Sequence, residues 1–92
     1  MNNDFLVVQS EAFAARLVRE AGSDQKAQVI RAWQLAFASE PMTDEVSGAL
    51  AFLTRQAERF RVAATKPGDP TRQALATFCQ ALLSSNRFLY VD

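Results

Sequence analysis

Residues 43–60 read TDEVSGALAFLTRQAERF, and this stretch decides the fold. Val46, Ala49, Leu50, Leu53, Ala57 and Phe60 recur at spacings of three and four, the repeat that lines one face of an α-helix. Asp44 and Glu45 fall in the first turn, where the helix dipole favours negative charge, and Thr43 is placed to cap it. Upstream, Glu40-Pro41-Met42 breaks the chain, because proline excludes the helical conformation from the residue before it. Gly48 interrupts the pattern at a cost of about 1 kcal/mol relative to alanine, which predicts a close helix contact at that point.

Working outward, glycine and proline mark the other boundaries. A first helix is expected from about Asp4 to Ala21, with Asn3 or Asp4 as its cap and Gly22 taking the left-handed position after its end. Its expected core stripe is Phe5, Val8, Ala12, Ala15 and Leu17, joined by Phe13, with Arg16, Arg19 and Glu20 toward solvent. A second helix, about Asp24 to Ala38, opens at Ser23 or Asp24 and is apolar on more than one side through Ala27, Ile30, Trp33, Leu35 and Phe37. Trp33 reads as a core anchor, with a binding-site aromatic as the competing role.

Lys66-Pro67-Gly68-Asp69-Pro70 is a turn signal in which Asp69 caps and Pro70 takes the first helical position, where its missing N–H costs nothing. The fourth helix, about Pro70 to Leu83, is expected to bury Leu75, Phe78, Cys79, Leu82 and Leu83. Ser84-Ser85-Asn86 interrupts it, and Arg87, Phe88, Leu89, Tyr90, Val91 and Asp92 follow. Four consecutive apolar or aromatic residues there are expected to fold back on the core or to cover a neighbouring surface. The expected fold is therefore all-α: an irregular four-helix bundle with a short apolar C-terminal tail, one domain over residues 1–92.

Composition narrows the functional classes. Hydrophobic residues are 49% and charged residues 22%, which argues against disorder. Lys+Arg and Asp+Glu are both 10, so the basic excess typical of a nucleic-acid binder is missing. With no histidine and one cysteine there is no Cys–His dyad, no usual serine triad and no imidazole metal ligand. Cys79 reads as a small buried hydrophobe, against the alternative of a reactive nucleophile. The three glycines, Gly22, Gly48 and Gly68, are scattered and build no phosphate cradle. Asp44 and Glu45 point about 100° apart on a helix and read as dipole-compensating groups, not an acid–base pair; Glu11 and Glu20 are more distant still. No apolar run is long enough to cross a bilayer, and Met1-Asn2-Asn3-Asp4 lacks the basic start of a signal peptide. No catalytic residue, cofactor or metal is expected. Arg55, Arg59 and Arg61, with Lys66 nearby, form a basic end to the third helix; a solvated face is the default, and an anion or nucleic-acid patch is the alternative.

Three stretches carry a family resemblance. They are MNNDFLVVQSEAFAARLVREAG, RAWQLAFASEPMTDE and ALATFCQALLSSNRFLYVD. Together they resemble the C-terminal region of the planctomycete PSD domain family (domain of unknown function 1553). Its pattern runs through an "AxxFAxRL" helix and an "AfxLAFgRxPTxxE" connection to an ending near "LLNSNEFLYVD". The chain departs from it at Ser84, at Arg87 and at Ala38-Ser39, where the family pattern has glycine. The resemblance implies the C-terminal piece of a larger, exported or periplasmic bacterial protein, often with a cytochrome c-like domain elsewhere. It implies no mechanism.

Three functions follow as expectations. The first is a non-catalytic structural or interaction domain whose Arg87–Asp92 tail and exposed first-helix face meet the rest of a parent chain or another protein. The second is a nucleic-acid-binding helical domain using Arg55, Arg59, Arg61 and Lys66, which demands steeply salt-dependent binding. The third is part of an enzyme completed by the remainder of a longer chain, with Arg87, Tyr90 or Asp92 lining the shared cleft.

Overall fold

The structure, a computed structural model, describes residues 4–63 and 67–85. Four helices run in the expected order: α1 (Asp4–Ala21), α2 (Gln25–Phe37), α3 (Thr43–Ala63) and α4 (Pro70–Leu83). The domain is all-α, a four-helix bundle. α4 packs most extensively, against α3 and α1; α2 closes the ring by touching α1 and α3 and lies across from α4. Asn3, Lys66 and the Asn86–Asp92 tail lie outside the described residues.

The helix ends follow local chemistry. Asp24 caps α2 by accepting from the Lys26 backbone N–H at 3.1 Å, and Asp69 does the same for α4 through Thr71 at 3.1 Å. Pro70 takes the first turn of α4, and Gly22 closes α1 at φ 74. At α3 the expected cap moves by one residue. The Val46 N–H donates to the Met42 carbonyl, which makes Met42 the cap and Thr43 the first helical residue. Glu45 reaches back to accept from the Met42 N–H at 2.7 Å, which is the acidic half of a capping box. The carboxylate in the third helical position thus satisfies the cap residue's own N–H, a different donor from those a threonine cap hydroxyl would reach.

α2 ends on a strained residue. Ala38 closes it in the left-handed conformation, φ 55 and ψ 35, with its N–H donating to the Gln34 carbonyl at 3.0 Å. A side chain there costs about 1–2 kcal/mol, while glycine gives back part of that through the freedom it has when unfolded. Ala38→Gly is therefore expected to stabilise the domain by about 0.5–1 kcal/mol, read as a raised denaturation midpoint. A lowered midpoint would show that this exit is not left-handed.

The core contains Leu17, Val29, Leu53, Leu75, Phe78, Cys79 and Leu82, interleaved with Ala14, Ala32, Ala49, Ala57 and Ala74. So many alanines let helix backbones approach closely, at the cost of less apolar area per residue. α3 buries Ala49, Leu53 and Ala57 with Val46 and Leu50 packed beside them, as its periodicity requires. Gly48, by contrast, faces solvent, and a Cβ built on it meets nothing within 4 Å; no helix approaches it. Trp33 sits at the margin of the core, half-buried, with its ring edge-on to Phe37 at 5.2 Å.

Among the described residues, two polar ones lie inside. Ser10 donates to the Leu6 carbonyl at 2.7 Å within α1. Gln28 donates to the Gly22 carbonyl at 2.6 Å and so ties the α1–α2 turn to α2. Each donor satisfied in this way avoids the desolvation penalty of about 1–3 kcal/mol that an unpaired buried group carries.

Candidate functional site

α1 carries two apolar stripes on different faces, and the more conspicuous one does not face the bundle. The inner face is Ser10, Ala14 and Leu17, small enough at its first two positions to seat α4 closely. The outer face is Phe5, Val8 and Ala12, which at 100° per residue lie within about 60° of one another. Phe5 is 77% exposed and Val8 58% exposed, and Ala12 is exposed as well. Of the stripe expected to enter the core, Leu17 is buried and Phe13 packs against the core, while Phe5, Val8 and Ala12 form a helical stripe turned outward. The buried face of α4 is itself bulky, with Leu75, Phe78 and Leu82, so the small Ser10 and Ala14 side of α1 lets the two helices approach.

Beside that stripe lies a groove of about 520 Å³. Its walls are Phe5, Leu6 and Phe13 of α1, Leu35 and Ala36 near the end of α2, and Leu83 at the end of α4. Phe5 and Ala12 belong to both stripe and groove, so the two form one continuous apolar surface.

Among the described residues the groove has one charged lining residue, Arg16, and a polar ladder starts from it. Arg16 Nε donates to Glu20 Oε2 at 2.8 Å, and Arg31 Nε donates to Glu20 Oε1 at 2.8 Å. Arg31 Nη1 donates onward to Gln34 Oε1 at 3.1 Å, and Gln34 Nε2 to Glu40 Oε2 at 2.7 Å. The ladder links α1, α2 and the turn before α3. The Arg16 and Arg31 hydrogen bonds hold the Glu20 carboxyl below the usual carboxylate range. A depressed carboxylate contributes stability above its unfolded value and loses it as pH falls through the folded one. Because the pairs are exposed, that contribution is small and screened by salt.

Such a surface is apolar where it meets solvent. Cys79 is not among its described lining residues and lies elsewhere, fully buried on α4. Desolvation pushes the Cys79 thiol up to about 12, with a small opposing pull from Arg72. Among the described residues no three carboxylate or thiol side chains gather as a metal site would require, and no helix is long and apolar enough to cross a membrane.

The basic residues of α3 are only partly brought together. Arg55, Arg59 and Arg61 are all exposed. Arg55 and Arg59 share a face one turn apart, but Arg61 lies about 120° round the helix from Arg55 and pairs with Glu58. Lys66 and the tail residues Arg87, Phe88, Leu89, Tyr90, Val91 and Asp92 are outside the described residues.

Neither the groove nor the buried Gln28 figured in the sequence reading. Gln28 has a visible signal, since it sits beside Val29 and four residues before Ala32, on the inward side of α2. The groove has none, because its walls come from three helices. Compared with family models, curated proteins and solved structures, the chain matches none of them.

Proposed function

We propose that this chain is a non-catalytic protein-interaction module of a larger exported bacterial protein, docking through the outer face of α1. The observation that carries the reading is the exposed stripe of Phe5, Val8 and Ala12, continuous with the groove. A helix that buries one apolar stripe and leaves a second uncovered has the surface of a docking element. The resemblance to the planctomycete domain family is the support for a larger exported parent. Neither the isolated Arg55–Arg59 pair nor the zero net charge favours the nucleic-acid reading.

The test is calorimetry of the 92-residue chain against the remainder of a parent protein at two salt concentrations. Tight binding that changes little with salt, with a negative heat-capacity change, is the expected result. Burying a valine or phenylalanine contributes about 1.5–3 kcal/mol, so Val8→Glu should weaken binding at least about tenfold. Its exposed position predicts an unchanged denaturation midpoint. No binding, or binding indifferent to Val8→Glu, would remove the proposal.

A further inference from the structure

We infer that a second cleft, walled by α1, α3 and α4, is a binding site for the side chain of an arginine carried by another protein. None of its described lining residues belongs to the outer stripe or to the groove, so the inference stands apart from docking by that stripe.

The cleft holds about 270 Å³, a little below the roughly 300–1,000 Å³ of pockets that take whole small molecules, and so of a size for one side chain. Its chemistry is decided by where the hydrogens have gone. The Ser10 hydroxyl donates to the Leu6 carbonyl at 2.7 Å, and the Thr77 hydroxyl to the Gln73 carbonyl at 3.0 Å. Each has spent its one hydrogen and keeps only lone pairs for the cleft. The Gln73 side-chain nitrogen donates to the Pro67 carbonyl at 3.4 Å, which leaves the amide oxygen to accept. Glu11 is an acceptor when ionised and pairs with no cation among the described residues. Gln80, whose amide both donates and accepts, completes the set.

A lining of acceptors with one carboxylate, and no lysine or arginine among its described residues, calls for a ligand that is cationic and rich in donors. Gln73, Thr77 and Gln80 succeed one another at spacings of four and three, so they line one face of α4, with Glu11 on the α1 wall. Acceptors spread over two turns suit the five N–H donors of a planar guanidinium better than an ammonium, whose three donors radiate from one point. Phe60 of α3 and Val7 of α1 supply the apolar remainder, against which the arginine methylenes can lie. The same lining decides the source of the arginine. It holds no described cation to receive the α-carboxylate of the free amino acid, whereas in a protein that group is a neutral peptide bond.

The experiment follows the nuclear magnetic resonance shifts of the full isotopically labelled chain as N-acetylarginine amide is added. Saturable shifts centred on Glu11, Thr77 and the Gln80 side-chain amide are expected, with Phe5 and Val8 unmoved. N-acetylcitrulline amide has the same shape without the charge and should bind at least about tenfold more weakly. Glu11→Gln, an exposed change that keeps the length of the side chain, should weaken the arginine probe by a similar factor while the helices keep their shifts. Asp44→Asn, which removes an exposed carboxylate from the start of α3, should leave it unchanged. Free arginine should bind more weakly than the capped form; equal or tighter binding would overturn the assignment to a protein side chain. No saturable shift, shifts centred on another face, equal binding of the citrulline probe, or indifference to Glu11→Gln would overturn the site itself. None of these outcomes bears on partner binding by the outer stripe, which the calorimetry reads separately.

Discussion

Replacing Leu53 by alanine is expected to lower the stability of this domain by about 3–4 kcal/mol. Leu53 is completely buried on α3, in the face that packs on α4, the helix with the most extensive packing in the bundle. Truncating a buried leucine removes its transfer free energy and leaves a cavity, together about 2–5 kcal/mol. Collapse around the cavity is hindered because the neighbouring positions on α3, Ala49 and Ala57, have no longer side chain to swing into the space. A domain of this length has only about 5–14 kcal/mol in total, and each kcal/mol moves the melting temperature by about 4–8 °C. The drop should therefore exceed about 12 °C, followed by circular dichroism on heating. Thr54→Ala is the control next door: Thr54 is exposed and its hydroxyl donates only to the Leu50 carbonyl at 3.1 Å, so its effect should stay within about 0.5 kcal/mol. Equal effects from the two substitutions would mean that the inward face of α3 has been misassigned.

The contrast between α3 and α1 shows what was legible in the sequence and why. On α3 the large apolar residues and the core face coincide, so periodicity alone places Leu53 inside. On α1 they do not. Phe5 and Val8 of the expected stripe are exposed, while Leu17 of that stripe is buried beside Ser10 and Ala14, which it did not include. A periodicity argument weighs hydrophobicity and is blind to how closely two backbones must approach. The same blindness explains Gly48, where a residue that permits close approach stands in open solvent. Boundaries were easier, since Gly22, Asp24, Asp69 and Pro70 act through their own backbone or their own side chain. The groove was beyond reach for the opposite reason. It exists only once Leu35, Leu83 and Phe13 have been brought together from three helices.

The second large effect is expected at Cys79. Its thiol is fully buried on α4, and desolvation raises it from an ordinary 9.0 to about 12. The thiolate is the reactive species, so a folded chain should present almost none of it at pH 8. Labelling must then wait for opening of the domain, and native protein should react at least about 1,000-fold more slowly with a disulfide reagent than urea-unfolded chain does. Adding denaturant below the transition should speed labelling in step with the opening equilibrium. The alkaline side follows by linkage. A raised thiol contributes stability that is fully present below its unfolded value, and this is lost as pH climbs from about 9 toward 12. Three units at 1.36 kcal/mol each make that loss on the order of 4 kcal/mol. Cys79→Ala should start slightly less stable, by about 1 kcal/mol for the small cavity, and then decline less steeply over the same range. Fast labelling of the native chain at pH 8 would contradict both halves of the argument. It would place a reachable thiolate on α4 and reopen the nucleophile reading that burial now speaks against.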